Sequence, residues 1–474
     1  MRLAHDQVIW HARRLATPTW VRIAISLASL FMLFQQRGSA IAGDTADEPP
    51  APVYRRSDRR PHFDDAKLRQ LGIARFESKR LRLYTDVGAK KVQSLLPAVD
   101  AAYDALVAYF GPLPPNRQRI EFQVTAYLMS DKPLFQKAGL LPDDLPPFLN
   151  GRHREQEFWA NEQETDYYRR HLVIHEFTHC FMFAVPAVHI PEWYMEGMAE
   201  LFGTHRIDAS GRYEFRVMPD RAENFDGLGR IPLVRSEITH GHWKSLADLQ
   251  RLTTQEFLEN TGYAWSWAAC AFLDGHPRYS QRFRELGKHT LGSEFQSTLT
   301  RLSGNDLDEM ETEWALFTHQ LQFGFDLTRA AIEFKTGRTL ADGESRAALA
   351  VAANHGWQSS GIAVKQGDRY EIEAGGEVVL EPKPKPWVSQ PQGISIVYSE
   401  GRPIGILLAA VHREPQSAET DESMLKEIIV GRKTTFRAAA SGTLYFRIND
   451  HWDSLANNDG RYTVVVRHLN EKSP

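Results

Sequence analysis

The hydrophobic pattern of this chain changes near residue 340, and this change constrains the fold more than any other feature. Between about residues 165 and 325, apolar residues recur at helical spacing in runs such as "GYAWSWAACAFLDGH" and "DLDEMETEWALFTHQL". From residue 347 onward come short β-type runs such as "GISIVYS" and "RYTVVVRHL", separated by Gly, Pro, Asn and Asp. The pattern predicts a largely helical region followed by an all-β sandwich over residues 345–474.

The region before residue 165 mixes both patterns. A strand-like run, "ARFESKRLRLYTD", leads into "AKKVQSLLPAVDAAYDALVAYFG", whose apolar residues recur at helical spacing until Gly111 supplies the stop. "RIEFQVTAYLM" then alternates as a strand does. Because 474 residues exceed what one core usually supports, we expect an α+β domain over residues 66–335 beside the sandwich.

The first 42 residues have the layout of a signal peptide. Four arginines precede the apolar run "IAISLASLFMLF", and the small residues of "SAIA" predict cleavage before Gly43. The apolar run is short for a bilayer-spanning helix, so a permanent anchor is the less favoured alternative, and no second long apolar run follows. We therefore predict a secreted or periplasmic protein without a transmembrane segment after cleavage, in which residues 43–65 form a proline-rich, charged linker.

The net charge limits the kinds of partner that the protein can bind, and the two cysteines limit its possible disulfides. The net charge is −4 and no basic stripe follows the N-terminal segment, so we expect no nucleic-acid partner. The two cysteines, Cys180 and Cys270, lie in apolar, helical-looking runs. Buried free thiols and a single disulfide both stay open.

A three-residue constellation stands at the centre of the helical region. His175, Glu176 and His179 form H-E-x-x-H in "YYRRHLVIHEFTHCFMFAV". On a helix the two histidines would lie on one face about 6 Å apart along the axis. They can then bind one Zn²⁺, with Glu176 placed to take a proton from a water at the metal. A solvated helical face with two histidines is the alternative explanation.

A second acidic cluster strengthens the metal interpretation. "PEWYMEGMAE" places Glu196 on a second helix that would begin after Pro191. If this helix packs on the first, Glu196 reaches the third coordination position. Glu200, one turn later, can accept a hydrogen bond from a ligand histidine and so fix the tautomer of that histidine.

Together, "HEFTHC" and "PEWYMEGMAELFG" resemble the gluzincin superfamily of zinc peptidases, and most closely the bacterial peptidase MA-like proteins, which pair H-E-x-x-H with W-x-x-E-G-x-A-E. The resemblance extends over about residues 76–323 and implies a zincin-like α+β catalytic domain. It also implies that His175, His179 and Glu196 bind Zn²⁺ and that Glu176 is the general base. The sequence lacks the G-x-M-E-N signature of the aminopeptidase branch, which favours endopeptidase action.

Hydrolysis also requires a group that stabilises the developing oxyanion. Tyr263, in "GYAWSWAAC", lies on a predicted helix of the same domain, and related gluzincins use a tyrosine or histidine at a comparable distance from the third ligand. His240 and His242 in "THGHW" are alternatives. A packing role for Tyr263 beside Trp267 also stays open.

A group of oxygen-bearing side chains lies near the C-terminus, in "GTLYFRINDHWDSLANNDGRYTVVV". Their carboxylate and amide oxygens suit a hard cation, although Asn, Asp and Gly also favour turns for backbone reasons alone. The pattern resembles the calcium-dependent galactophilic lectin of the PA-I type, in which a strand ends in Asn-Asp, a six-residue loop follows, and Asn-Asn-x-Gly begins the next strand. This resemblance covers most of residues 347–470.

The lectin resemblance implies a Ca²⁺ site formed by the side chains of Asp450, Asn457 and Asn458. Main-chain carbonyls would come from Ser454 and from the region near Leu380.

The same resemblance implies a sugar site formed by Gln392, Asp450 and Asn457. The lectin family has a histidine just before its P-x-Q-G-like stretch, whereas "VSQPQGIS" has Ser389 and Gln390 nearby. That departure favours a calcium-bearing sandwich over retained galactose specificity.

These inferences combine into one predicted function. The protein would be an exported zinc endopeptidase acting on peptide or protein substrates, glycosylated ones included, with a calcium-binding lectin-like module that targets glycans. Two alternatives stay open: a carbohydrate-binding or adhesion protein with a non-catalytic peptidase fold, and a hydrolase of a non-peptide amide or a cell-wall linkage.

Overall fold

The computed structural model describes residues 53–56, 60–184, 190–288, 304, 306–347, 350–413 and 422–469. The predicted signal peptide, residues 1–42, lies outside these ranges. The first strands are β1 (Ala74–Glu77), β2 (Leu81–Thr85), β3 (Val124–Met129), β4 (Gly151–Arg154), β5 (Glu157–Asn161), β6 (His205–Ile207) and β7 (Tyr213–Phe215). Five of them form a sheet in the order β1-β2-β3-β5-β4. Strands β2, β3 and β5 run parallel, whereas β1 and β4 run antiparallel to their neighbours at the two edges.

Helices cover this sheet and continue the chain beyond it. They are α1 (Asp65–Gln70), α2 (Ala89–Val92), α3 (Leu95–Phe110), α4 (Lys132–Lys137), α5 (Asp166–Met182), α6 (Glu192–Gly203), α7 (Arg230–Thr239), α8 (Leu246–Leu249), α9 (Thr254–Leu258), α10 (Thr261–Gly275), α11 (Ser280–Lys288), α12 (Leu307–His319) and α13 (Leu327–Ala330). Apolar faces of α3, α5, α6 and α10 meet in one large core. This core holds α5 and α6 side by side.

The C-terminal region consists of strands. They are β8 (Arg338–Thr339), β9 (Ser345–Ala347), β10 (Val351–Ala352), β11 (Gln358–Val364), β12 (Arg369–Gly375), β13 (Val378–Val379), β14 (Val388–Ser389), β15 (Gln392–Ser399), β16 (Arg402–Arg413), β17 (Ile428–Ile429), β18 (Lys433–Arg437), β19 (Gly442–Ile448) and β20 (Asp459–Leu469). One sheet has the order β14-β13-β20-β12-β18, with β9 and β10 also on β20, and the other has the order β15-β16-β19-β11-β8, with β17 on β16. Both sheets contribute to one hydrophobic cluster, in which Ile372 and Val464 of the first meet Leu407 and Phe446 of the second.

The helical and β-rich regions share a core. Trp452, in the loop before β20, stacks on Phe325 with ring centroids 5.1 Å apart. The carbonyl of Trp452 accepts a hydrogen bond from the Asp326 N–H at 3.1 Å. Trp357 and Tyr445 of the β-rich region belong to the same hydrophobic cluster as the helices. Residues 53–474 accordingly form one compact unit.

The beginning of this unit lies against the helices, although it falls in the predicted linker. The N–H of Arg55 donates to Pro115 O at 3.2 Å, and the N–H of Arg56 donates to Ala184 O at 2.9 Å. The guanidinium of Arg55 also donates to Ile120 O at 2.6 Å. Arg55 and Arg56 are therefore hydrogen-bonded to the segment that follows α5 and to the segment that precedes β3.

The mixed α+β class is confirmed. The predicted passage from helices to strands corresponds to the interval between α13, which ends at Ala330, and β8, which begins at Arg338. The domain boundaries themselves stay predictions. Cys180 and Cys270 are buried free thiols. Among the residues that the structure describes, no helix has both the length and the hydropathy needed to cross a bilayer.

Candidate metal centre

Helices α5 and α6 carry the imidazole and acidic side chains of the candidate metal centre. Helix α5 begins after Thr165, whose hydroxyl oxygen accepts a hydrogen bond from the Tyr168 N–H at 3.1 Å. Helix α6 begins after Pro191 and needs a glycine at position 197, because a Cβ there would lie 2.5 Å from the Ser266 carbonyl of α10. The close approach of α6 to α10 helps to set the position of α6 relative to α5.

Three ligand atoms converge between the two helices. The Nε2 atoms of His175 and His179 are 3.1 Å apart. The Oε2 of Glu196 lies 3.1 Å from the Nε2 of His179 and 3.4 Å from the Nε2 of His175. Both histidines are buried, whereas the Glu196 side chain keeps 23% of its surface exposed. The triangle therefore opens to solvent on the Glu196 side.

This triangle has the size that zinc requires. Ligand atoms about 2.0–2.1 Å from a tetrahedral Zn²⁺ lie about 3.3 Å from one another. The three observed separations, 3.1, 3.1 and 3.4 Å, agree with that spacing. Two imidazoles and one carboxylate leave a fourth position for water or substrate. The donor set fits a catalytic zinc ion.

Glu200 occupies the far side of His175, away from the triangle. Its Oε1 lies 3.2 Å from the Nδ1 of His175, and its Oε2 is within hydrogen-bonding distance of His171 Nε2, at 3.2 Å. Arg230, the first residue of α7, donates to both carboxylate oxygens of Glu200, from Nε and Nη2, at 2.8 Å each. Glu200 is thus a buried acceptor that can orient the His175 ring.

The charges of the cluster are strongly coupled. Burial alone would raise the pKa of Glu196, but the adjacent His179 and His175 rings hold that pKa below its ordinary value. Burial likewise opposes protonation of His175, yet its contacts with Glu196 and Glu200 raise the pKa of His175 well above its ordinary value. The protein therefore concentrates negative charge around these imidazoles, which is an environment that favours a cation.

Glu176 lies beside the sheet edge. The residue is buried, and a Cβ atom at Gly151 of strand β4 would fall 2.3 Å from its Oε1. His153, on the same strand, has its Nδ1 3.8 Å from the Glu176 Oε2 and its ring 4.6 Å from the His179 ring. Strand β4 therefore forms one wall of the site.

Tyr263 lies near both His175 and Arg230. The centroids of the two rings are 6.0 Å apart, and the Arg230 guanidinium carbon lies 5.8 Å from the tyrosine ring centroid. Burial, together with the charges of Glu196, Glu176 and Glu200, raises the pKa of Tyr263, so its hydroxyl stays protonated as a donor. His240 and His242 are exposed beyond the end of α7, whereas Arg230 at the beginning of that ten-residue helix contacts the site. The structure thus brings Tyr263, and not these two histidines, to the ligand cluster.

Sequence reasoning did not identify four residues of this cluster. His171 precedes His175 by one helical turn, so helical spacing could have revealed it. Gly151, His153 and Arg230 come from a sheet edge and a later helix, and their positions depend on tertiary packing. No local pattern in the sequence signals them.

The C-terminal loop places Asp450 and Asn458 in contact. Both are buried, and the Nδ2 of Asn458 donates to Asp450 Oδ2 at 2.9 Å and to Ala353 O at 3.2 Å. The buried Oδ1 of Asn458 has no hydrogen-bond partner among the described residues. Burial raises the pKa of Asp450. A carboxylate and an unpaired amide oxygen are donors that fit Ca²⁺.

The other residues that were predicted to bind calcium or sugar do not converge on one point. Asn457 is exposed and donates to Glu381 Oε2 at 3.0 Å, next to the Leu380 region from which a carbonyl was predicted. The Ser454 carbonyl accepts a hydrogen bond from the Asn457 N–H at 3.3 Å. Gln392 of β15 is the register partner of Ile406 of β16, and its side chain accepts a hydrogen bond from Arg432 at 2.7 Å. Gln392 therefore lies at the same end of the sheet as the loop that contains Asp450 and Asn458, but its side chain is hydrogen-bonded to Arg432.

No family model matches the chain, and no curated protein matches it. Among solved structures, the chain is similar to the EclA N-terminal domain, described as a PllA-like lectin, with 24% identity and a TM-score of 0.18. The match covers 26% of this chain and 94% of that chain. Such a match does not assign the chain to that family.

Proposed function

We propose that this protein is an exported zinc-dependent endopeptidase with a calcium-binding, glycan-targeting β-rich region. The observation that carries the proposal is the triangle of His175 Nε2, His179 Nε2 and Glu196 Oε2, whose edges of 3.1–3.4 Å suit one zinc ion. Bound there, zinc would act as a Lewis acid on the substrate carbonyl.

The remaining roles belong to side chains of this chain. Glu176, beside the triangle, would take the proton of the attacking water and deliver it to the leaving amine. Tyr263, kept protonated by its surroundings, would donate a hydrogen bond to the developing oxyanion. Glu200 would hold His175 in a fixed orientation.

Strand β4 supports a peptide as the substrate. It forms an edge of the described sheet, and Gly151 and His153 on it contact the side chains of Glu176 and His179. An extended peptide that added to this edge as a further strand would pass directly by the general base. Internal bonds of a polypeptide, rather than its termini, would be held in this way.

Asp450 and Asn458 support the cation-binding role of the β-rich region. Burial of the Asp450 carboxylate is unfavourable even with its hydrogen bonds from Asn458 and the His451 N–H, and a hard cation would compensate its charge while using the unpartnered Oδ1 of Asn458. A bound glycan would then complete the coordination with its hydroxyl oxygens, as Gln392 and Asn457 at the same end of the sheet would permit.

The test is elemental analysis of protein lacking residues 1–42, beside the Glu196→Ala variant. We expect about one zinc per chain in the parent and a clear loss in the variant. Glu192→Ala, which removes an exposed acid at the beginning of the same helix, is the matched control and should keep the metal. Glu176→Gln should keep zinc but reduce hydrolysis of casein by about 10²- to 10⁴-fold.

The same preparations discriminate among the alternative functions. A parent without zinc, or with zinc unchanged by Glu196→Ala, would contradict the peptidase and favour a carbohydrate-binding or adhesion protein. Zinc-dependent cleavage of wall fragments, with casein and glycoproteins left intact, would favour hydrolysis of a non-peptide amide or a cell-wall linkage.

A further inference from the structure

His175 is shared between two sets of possible metal ligands. One set joins it to His179 and Glu196, and the other joins it to His171 and Glu200. The ligand atoms of each set lie within 4.8 Å of one another. The Nε2 of His175 faces the first set and its Nδ1 faces the second. The protein therefore offers one ion two adjacent places.

Both sets have the chemistry for zinc. In the second set, Glu200 Oε2 lies 3.2 Å from His171 Nε2, and Glu200 Oε1 lies 3.2 Å from His175 Nδ1. Two imidazoles and a carboxylate are again zinc ligands, and their ligand atoms lie within 4.8 Å of one another. Ligand type alone cannot decide which set holds the ion.

Arg230 distinguishes the two sets. Its guanidinium donates to both oxygens of Glu200, at 2.8 Å each, and it is buried with that carboxylate. Such a bidentate pair engages one lone pair of each oxygen, and a guanidinium keeps its charge in proteins. A zinc ion on Glu200 would sit next to this fixed positive charge in a buried site, where repulsion is strong. The described contacts of Glu196 are to the two histidines instead.

We infer that Arg230 is a positioning residue that keeps Glu200 as an outer partner of His175 and thereby directs the metal to the set of His175, His179 and Glu196. This inference rests on the proposed zinc function and adds to it a determinant of which ligands are used. Its consequence is specific: without the arginine charge, the second set becomes available to the ion.

The experiment uses a variant that has lost the first set. In His179→Ala, zinc content after chelator treatment and reloading with zinc should fall well below one per chain. Adding Arg230→Met should restore roughly one zinc per chain, held by His171, His175 and Glu200. Adding His171→Ala as a third change should remove it again. Zinc stoichiometry and a competition titration with a chromogenic chelator measure this independently of activity.

Three further variants complete the design. Arg216→Met is the matched control, since Arg216 pairs with the buried Asp274 at 2.5 Å and contacts neither ligand set; it should restore no zinc to His179→Ala. Arg230→Gln keeps a hydrogen-bond donor without the charge and carries the test if the methionine variant does not fold. Arg230→Lys keeps the charge and should restore no zinc.

The outcomes separate this inference from the proposed function. Wild-type protein that binds no zinc overturns both. Zinc in the wild type, lost in His179→Ala and not regained with folded Arg230→Met or Arg230→Gln, overturns the role of Arg230 alone.

Discussion

Gly151 and Glu176 are in such close contact that a Cβ atom at position 151 would fall 2.3 Å from the Glu176 Oε1 and 2.9 Å from its Cδ. Gly151 has no positive φ, so its backbone would accept alanine. The glycine is thus required by the carboxylate of the proposed general base and not by the conformation of the strand.

Gly151→Ala should therefore displace Glu176 without affecting the metal ligands. We expect a loss of about 10²-fold in kcat, because misplacing a reacting group by about 1 Å has that effect. Zinc content should be unchanged. Gly88→Ala is the control, since a Cβ at that glycine meets nothing within 4 Å. Equal activity of the two variants would argue against Glu176 as the base.

Tyr263→Phe removes the proposed oxyanion donor while preserving the ring that lies 6.0 Å from His175. We expect kcat to fall by about 10²- to 10³-fold with little change in KM, because the hydrogen bond would form mainly in the transition state. Steady-state kinetics on a peptide substrate measure this. Tyr213→Phe, whose hydroxyl donates to Ser94 O at 3.2 Å, is the control. An unchanged kcat would mean that Tyr263 has only a packing role.

Trp452→Ala should destabilise the helical and β-rich regions together. The side chain is buried, stacks on Phe325, and lies under the Arg447 guanidinium at 3.8 Å. We expect a loss of about 3–5 kcal/mol in the free energy of unfolding. Trp387→Ala, at a half-buried position within the β-rich region, should cost less. Denaturant unfolding followed by far-UV circular dichroism would reveal two separate transitions if the regions were independent.

Asp450 gives the calcium-free protein a distinct dependence on pH. Burial raises the pKa of this carboxyl, so the folded state holds its proton more tightly than the unfolded state. Its contribution to stability is present below the ordinary pKa and is lost as the pH rises through the raised pKa of the folded state. The loss is about 1.4 kcal/mol for each unit by which the pKa is raised.

Calcium should restore that stability at neutral pH, and Asp450→Asn should abolish both the pH dependence and the calcium effect. Thermal unfolding in EDTA and in excess calcium, between pH 4 and pH 8, tests this. Asp459→Asn changes an exposed acid in the same segment and should behave as the wild type. An equal calcium response in Asp450→Asn would place any cation elsewhere.

The sequence predicted the parts of this protein that depend on local periodicity. The mixed α+β class follows from the change of pattern near residue 340, and the helical spacing of His175 and His179 places both on one face of α5. Glu196 could be paired with them only on the assumption that a second helix packs on the first, which the resemblance to a known motif also implied. The structure brings the three ligand atoms within 3.4 Å of one another.

What could not be predicted depends on long-range packing. Arg230 reaches Glu200 because α7 begins beside α6, and His153 reaches His179 because β4 is the antiparallel edge of the sheet. Neither position carries a local signal, since an arginine that begins a helix and a histidine on a short strand are common on solvent-exposed surfaces.

The stacking of Trp452 on Phe325 also determines how the two proposed sites could cooperate. A binding module on a flexible linker lets its enzyme search a volume whose radius grows with linker length. Here Trp452, in the proposed calcium loop itself, belongs to the core of the helical region. Glycan and scissile bond would then be held at one fixed separation. The protein would then favour substrates in which the sugar and the cleaved bond are separated by that distance.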